Sequence, residues 1–286
     1  MVVNELGLVS EQLTDRLAVL YGQREAFLMA AMCLEKLTGI APQAQKRAAA
    51  THLTPAQLVQ LAHYEEQLLA HRPIQYVLEE AWFQQMPFWV NEGVLIPRPE
   101  TEELVEWVAT SIDKKGADNT ILDVGTGSGC IAISLSKKLP LSNIIAIDSS
   151  EEALQIARYN NERLQTAVTF RQLDFLSADA RNSLPDFTCI VSNPPYIPMA
   201  EKENMQPQVV QYEPENALFV PNNDALLFYR VLADFTMQQR NPVSLFVEIH
   251  EQLGVAVCEL FEQAGLNQIM LKQDMQGKDR MVRASR

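Results

Sequence analysis

A chain of 286 residues with 47% hydrophobic and 21% charged residues has the composition of a folded globule, long enough for one large domain and a smaller one, and not of a disordered or fibrous protein. The formal net charge is -13, and residues 1–85 hold 6 Lys and Arg against 9 Asp and Glu, so neither end supplies the basic surface that displaces counterions from phosphates; bare nucleic acid is a poor partner. No run approaches the ~18 apolar residues of a membrane span, no basic region leads into an apolar one at the start, and Cys33, Cys130, Cys189 and Cys258 lack C-x-x-C spacing, so a cytoplasmic protein with buried reduced thiols, no metal site and no membrane partner is expected.

Residues 1–72 read as a small helical bundle. Ser10 is placed to cap a first helix carrying Leu13, Leu17 and Leu20, and a second runs over about 23–37 and stops at Gly39. Thr54-Pro55-Ala56-Gln57 joins a capping box to proline at the first helical position and starts a third helix with Leu58, Leu61, Leu68 and Leu69. This region has no glycine-rich loop or catalytic cluster, which suits packing or partner recognition.

Residues 73–95 turn aromatic and extended. Trp82, Phe83, Phe88 and Trp89 with Val90 and Val94 predict a β-hairpin linking the bundle to residues 96–286. In Ile96-Pro97-Arg98-Pro99-Glu100-Thr101 two prolines stiffen the lead into a helix whose positive end Glu100, Glu102 and Glu103 favour. Strands are then predicted at 120–124, 143–148, 167–173, 187–192, 244–249 and 267–272, with helices at 129–138, 150–164, 225–238 and 251–264. Alternating strands and helices imply an α/β fold, a mostly parallel sheet covered on both faces.

The junction of the first of these strands with its helix reads Asp123-Val124-Gly125-Thr126-Gly127-Ser128-Gly129. Glycines let backbone approach a ligand closely, and a helix N-terminus offers free N–H groups, so the loop predicts a nucleotide-like cofactor. Gly125, Gly127 and Cys130 nearly fit the dinucleotide fingerprint, but Asp123 would repel a pyrophosphate, whereas it can accept hydrogen bonds from the cationic methionine end of S-adenosylmethionine. Asp148 ends the second strand, where its carboxylate can take ribose hydroxyls. Asp174 and Phe175 end the third, near the adenine amino group and ring face.

The fourth strand runs into Asn193-Pro194-Pro195-Tyr196. A conjugated NH2 nitrogen is a poor nucleophile because its lone pair is delocalised. The Asn193 side-chain oxygen and the Pro194 carbonyl can each accept one N–H bond from such a group, returning density to nitrogen and aiming it at a sulfonium methyl. Tyr196 can stack on the planar group, and the prolines stiffen the site before substrate arrives. Neither a metal nor a strong base is needed for the attack.

With these motifs the chain resembles the HemK-type family of release-factor glutamine methyltransferases over nearly its whole length. Further similar segments are Arg72-Pro73-Ile74-Gln75-Tyr76, Pro97-Arg98-Pro99-Glu100-Thr101, Tyr212-Glu213-Pro214, Phe228-Tyr229-Arg230 and Gly277-Lys278-Asp279-Arg280. The resemblance implies a Rossmann-like, seven-stranded class I methyltransferase sheet whose last strand is antiparallel, and a five-helix N-terminal domain that recognises the partner. It implies S-adenosyl-L-methionine as cofactor, S-adenosyl-L-homocysteine as product, and the glutamine of the Gly-Gly-Gln motif of class 1 release factors as substrate. By the same carry-over Gly125–Gly129, Asp148, Phe175 and Asn193 contact the cofactor, Asn193, Pro194, Pro195 and Tyr196 receive the glutamine, and Arg98 and Thr101 border the cofactor pocket. Arg98 reads equally as a structural ion-pair partner.

Three departures stand out: Glu79 and His250 where such sequences have glycine, and Pro221-Asn222-Asn223 in place of a glycine-rich turn. A lone histidine at a strand end is expected to be structural. The related ribosomal-protein glutamine methyltransferases are the nearest alternative. DNA adenine amino-methyltransferases share both main motifs but need a basic cleft, and a non-catalytic S-adenosylmethionine-binding adaptor would be expected to have lost the tetrapeptide.

Overall fold

The computed structural model describes residues 4–112 and 119–286, which divide into a helical unit, Met1–Glu80 with Pro207–Tyr212, and a sheet unit, Ala81–Gln206 with Glu213–Arg286. The boundary thus falls at residue 80, not 72, and the helical unit takes in a distant segment that no pattern near the N-terminus announces.

In the helical unit the first helix spans Leu6–Thr38 and is interrupted at Gly22, whose φ of 73° and ψ of 160° are not helical. Its two parts match the two helices expected there, but Ser10 lies inside the first and is no cap. The N–H groups of Leu6 and Gly7 are satisfied instead by the carbonyls of Thr51 and Ala49, at 2.8 and 3.0 Å. By length and composition alone Leu6–Thr38 is apolar enough to cross a membrane. Leu13, Leu17, Ala30, Cys33 and Leu34 are buried in the unit's own core with Leu61, Leu68 and Ile74. Short helices Pro42–Gln45 and Ile74–Val77 flank Pro55–Leu69, which begins with the expected capping box: Thr54 Oγ1 accepts the Gln57 N–H, and Gln57 Oε1 accepts the Thr54 N–H at 2.8 Å. Glu79 follows with a φ of 52°, the left-handed region that explains a glycine preference at this position.

The sheet unit opens with the expected hairpin, β1 (Ala81–Phe83) against β2 (Met86–Phe88). The strands that follow are β3 (Thr120–Val124), β4 (Asn143–Asp148), β5 (Thr169–Gln172), β6 (Cys189–Ser192), a two-residue pair β7 (Ile197–Pro198) and β8 (Phe219–Val220), then β9 (Ser244–Glu248), β10 (Asn267–Gln273) and β11 (Asp279–Ser285). The main sheet has seven strands in the order β10-β11-β9-β6-β3-β4-β5. Strand β11 is antiparallel to both neighbours and the other pairings are parallel, so the seven-stranded α/β sheet with an antiparallel last strand is as expected. The sequence pattern yielded only six strands, and β11 is the one it missed.

Alternate residues of β3 face opposite layers. Leu122 and Val124 join Ile147, Leu245 and Val247 in a core closed by Tyr229, Leu232 and Phe235 of the helix Leu227–Gln238 and by Val257 and Phe261 of the helix Gly254–Gln263. The helices Pro99–Ser111, Cys130–Lys138 and Glu151–Arg163 cover the other face. The chain builds β3, β4 and β5 to one side and then returns to lay β6 on the other flank of β3. That reversal opens a crevice at the carboxyl ends of the central strands.

Candidate active site

Beyond Val124 the chain turns at Gly125, whose N–H, with that of Thr126, bonds to the Ile147 carbonyl at 2.9 and 3.0 Å. Gly127 donates to Asp148 Oδ2 at 3.0 Å, while Asp148 Oδ1 accepts the Ser150 N–H at 2.9 Å. A Cβ at Gly125 or Gly127 would meet nothing within 4 Å, so the loop presents bare backbone to open space. At Gly129 a Cβ would come within 2.9 Å of Ile133 Cδ1 and 3.2 Å of Ala157 Cβ; that glycine serves helix packing instead. Asp123 is fully buried: its Oδ2 accepts from Thr126 Oγ1 at 2.7 Å and from the Ala132 N–H at 3.2 Å, while Oδ1 has no partner. Burial, only partly offset by those bonds, pushes its carboxyl up to about 7.

A cavity of about 410 Å³ lies over this loop. Gly125 and Gly127, Asp148, Asp174 and Phe175, and Asn193, Pro194 and Pro195 reach it from four successive strand ends. Gly93, Val94 and Leu95 close it on one side, and Pro214, Ala217, Phe219, Pro221 and Phe228 on another. Asp123, Thr126, Ser128, Gly129, Arg98, Thr101 and Tyr196 lie outside this lining. Phe175 contributes an edge of the cavity while its ring packs at 82° on Phe235, 5.4 Å between centroids, with the Arg181 guanidinium 5.6 Å above it. Asp174 Oδ1 accepts the Leu176 N–H at 2.9 Å.

Behind Asn193 runs a polar chain. Ser192 Oγ donates to the Val124 carbonyl at 2.8 Å, which fixes the end of β6 beside that of β3. Asn193 Nδ2 donates to Thr101 Oγ1 at 3.1 Å, and Thr101 Oγ1 donates to Glu248 Oε2 at 2.6 Å. Tyr196 Oη donates to Glu248 Oε1 at 3.4 Å, and the Tyr229 hydroxyl to the Glu248 carbonyl at 3.1 Å. Burial pushes the Glu248 carboxyl up to about 7, against the pull of Thr101 and the Arg280 charge. Burial and the neighbouring Glu248 raise the Tyr196 hydroxyl as well. The Tyr196 ring packs edge-on against His250, 6.0 Å between centroids, and His250 Nδ1 accepts the Gln252 N–H at 3.2 Å. His250 therefore buttresses the tetrapeptide.

Arg98 makes a forked pair with Glu213, its Nη2 lying 2.6 and 2.7 Å from the two carboxylate oxygens. The Glu213 side chain is 1% exposed, so the guanidinium compensates a charge that is otherwise desolvated. Thr101 stands one turn into the helix Pro99–Ser111, which is how the proline-flanked segment delivers its hydroxyl to Asn193.

Sequence reasoning passed over two residues of this neighbourhood. Glu248 ends β9 and ties Thr101 to Tyr196. Asn160 is fully buried, holding both the N–H and the carbonyl of Trp89, at 2.7 and 2.9 Å, and the Ser128 carbonyl at 3.0 Å, so it pins the glycine loop to the residue that follows the hairpin. Nothing in the sequence distinguishes either from a solvated polar residue. The cysteines are all free, but only Cys33 and Cys189 are buried, their thiols pushed up to about 12; Cys130 and Cys258 are half-buried.

The residues present fit a nucleoside-bearing cofactor: an open backbone cradle at Gly125 and Gly127, an adjacent carboxylate at Asp148, and an orphaned buried oxygen on Asp123. Comparison with known proteins agrees. The family described as "Methyltransferase small domain" matches residues 101–214. The release factor glutamine methyltransferase of Flavobacterium psychrophilum is 44% identical over 233 residues, covering 79% of this chain and 81% of that protein. The protein of the same name from Bacteroides thetaiotaomicron is 45% identical over 221 residues, covering 77% and 78%. Among solved structures, the hMettl16 catalytic domain shares the fold with a TM-score of 0.56 at 14% identity, over 87% of this chain and 90% of that one.

Proposed function

The chain belongs to the release factor glutamine methyltransferases, and on that premise we propose that it moves the methyl group of S-adenosyl-L-methionine to the side-chain amide nitrogen of the Gly-Gly-Gln glutamine of class 1 release factors, leaving S-adenosyl-L-homocysteine. The observation that carries this reading is the commitment of Asn193 Nδ2 to Thr101 in a residue that lines the cavity, which leaves its Oδ1 as the side-chain acceptor for a bound amide.

An amide nitrogen needs its lone pair restored before it can attack. In this reading Asn193 Oδ1 and the Pro194 carbonyl each take one N–H of the substrate amide, which polarises the nitrogen and holds its plane. Pro194 and Pro195 hold that geometry in advance, and Tyr196, whose hydroxyl donates to Glu248 behind them, braces the tetrapeptide. When bound, the cofactor supplies a methyl group on a positively charged sulfur. The Asp148 oxygens accept the Gly127 and Ser150 N–H groups and retain lone pairs for ribose hydroxyls; Asp174 and Phe175 border the adenine; and the backbone of Gly125 and Gly127 receives the methionine end. The proton leaves after the methyl has arrived.

In this reading the N-terminal helices recognise the release factor while residues 96–286 carry out the chemistry, with no direct nucleic-acid or membrane partner, in the cytoplasm. The test is incubation with labelled S-adenosylmethionine and, separately, a release factor, its copy with the glutamine replaced, a ribosomal protein and duplex DNA. Label is expected on the intact release factor alone. Label on DNA, or undiminished on the replaced copy, refutes the assignment.

A further inference from the structure

The Asn193 amide serves this reaction one way round only. Turned over, it would present N–H to the N–H of the substrate and leave one substrate proton without an acceptor. Two distances decide which way it faces: Asn193 Nδ2 to Thr101 Oγ1, 3.1 Å, and Thr101 Oγ1 to Glu248 Oε2, 2.6 Å. A hydroxyl has one proton. Facing an ionised carboxylate, which only accepts, the Thr101 hydroxyl gives that proton to Glu248 and has nothing left for Asn193 but a lone pair. The Asn193 amide must then turn its NH2 inward and its oxygen outward.

We propose that Glu248 is a positioning residue that acts through the Thr101 hydroxyl to keep Asn193 Oδ1 facing the substrate. The proposal rests on the reading of Asn193 as the group that receives the substrate amide. Neither Glu248 nor Thr101 lines the cavity, so both act through Asn193. Thr101 is 2% exposed and Glu248 is also 2% exposed, which keeps water from replacing either link.

The other groups facing Glu248 agree with an ionised acceptor. The Tyr196 hydroxyl donates to its second oxygen, the Tyr229 hydroxyl donates to its backbone carbonyl, and Arg280 contributes a positive charge; burial opposes ionisation most strongly and Glu100 adds to that, which brings the carboxyl to about 7. A proton on Oε2 reverses the chain: the carboxyl donates to Thr101, the Thr101 proton is freed toward Asn193, and the amide turns over. The rate therefore follows the ionised fraction of Glu248.

The test compares Thr101→Val, which keeps the shape and removes the hydroxyl, with Thr101→Ser, which restores it. Thr101→Val is expected to lower kcat on the order of 10- to 100-fold, with KM for the release factor and affinity for S-adenosylhomocysteine within about twofold of wild type. Thr101→Ser is expected to recover most of that rate. In wild type kcat falls on the acid side as Glu248 is protonated, with a midpoint near 7, and in Thr101→Val this acid limb disappears. Independently of turnover, the Asn193 side-chain NH2 resonances of 15N-labelled protein shift across that pH range in wild type and not in Thr101→Val. A Thr101→Val enzyme with wild-type kcat, an acid limb that survives the substitution, or pH-invariant Asn193 resonances in wild type overturns the proposal. If the label goes to an amide other than the release-factor glutamine, the substrate assignment fails while the same kcat comparison on that acceptor still decides the relay.

Discussion

The Gly127 N–H and the Asp148 carboxylate lie 3.0 Å apart, so one hydrogen bond ties the loop after β3 to the end of β4. The two outer glycines of the loop's second half therefore answer to different demands. Gly127→Ala places a methyl group in open space and strains a φ of 53°, at about 1 kcal/mol in folding stability, with the larger loss in S-adenosylhomocysteine affinity. Gly129→Ala adds overlap with Ile133 and Ala157 to a φ of 82° and is expected to cost about 3 kcal/mol of stability. Chemical denaturation and calorimetric binding on both variants separate the two; equal stabilities would contradict the packing role of Gly129.

Asn193→Ala removes the side-chain acceptor while leaving the loop, Asp148 and Phe175 untouched. Methyl transfer is expected to fall below detection, with cofactor affinity within roughly tenfold of wild type, about 1.4 kcal/mol. Single-turnover assays with pre-bound cofactor measure this directly, and near-normal turnover would discard the mechanism.

Burial raises the Glu248 carboxyl from 4.5 to about 7 in the fold. Between those values the folded protein holds a proton that the unfolded chain has lost, so the contribution of Glu248 to stability is fully present below about 4.5 and is lost as pH rises through 7, by an amount on the order of 3 kcal/mol. Asp123, raised from 3.8 to about 7 by burial, adds a loss of the same sign. Glu248→Gln is uncharged throughout. Urea denaturation at pH 5 and pH 8 should show the variant gaining on wild type at the higher pH, and a gain that is equal at both would contradict the shift.

Glu79 sits at a φ of 52°. An L side chain there is strained, whereas glycine gives back part of the relief through its freer unfolded chain. Glu79→Gly is expected to stabilise the protein by about 0.5–1 kcal/mol, read as a higher denaturation midpoint with unchanged slope.

The parts of the site that were legible in the sequence are those where chemistry and chain direction coincide. The glycine loop, Asp148, Asp174 and Asn193 each follow an apolar strand, so a strand-by-strand reading brings them to one edge of the sheet before any packing is known. The N-terminal division into a helix carrying Leu13, Leu17 and Leu20 and a second from about residue 23 was legible from local apolar spacing, and Gly22 lies between them. Strand β11 was not, because Arg280 and Arg283 interrupt its apolar residues and only Met281, Val282 and Ala284 are buried; the Arg283 guanidinium lies 5.4 Å over the Phe246 ring, a role no periodicity reveals. Ser10 misled because a backbone segment 40 residues on, at Ala49 and Thr51, does the work of a cap. Glu248 was silent because a carboxylate at a strand end looks the same whether it faces water or a buried threonine 147 positions earlier.

The segment Pro207–Tyr212 counts among the helical unit, with the Tyr212 hydroxyl donating to the Ala70 carbonyl at 2.8 Å, while the next residue, Glu213, answers to Arg98 in the sheet unit. The helical unit is thus not a detachable cassette. A chimera cut at residue 80 would pair the N-terminal helices of one parent with the 207–212 segment of the other, so moving the helical unit whole between relatives requires two grafts from the same parent, residues 1–80 and 207–212.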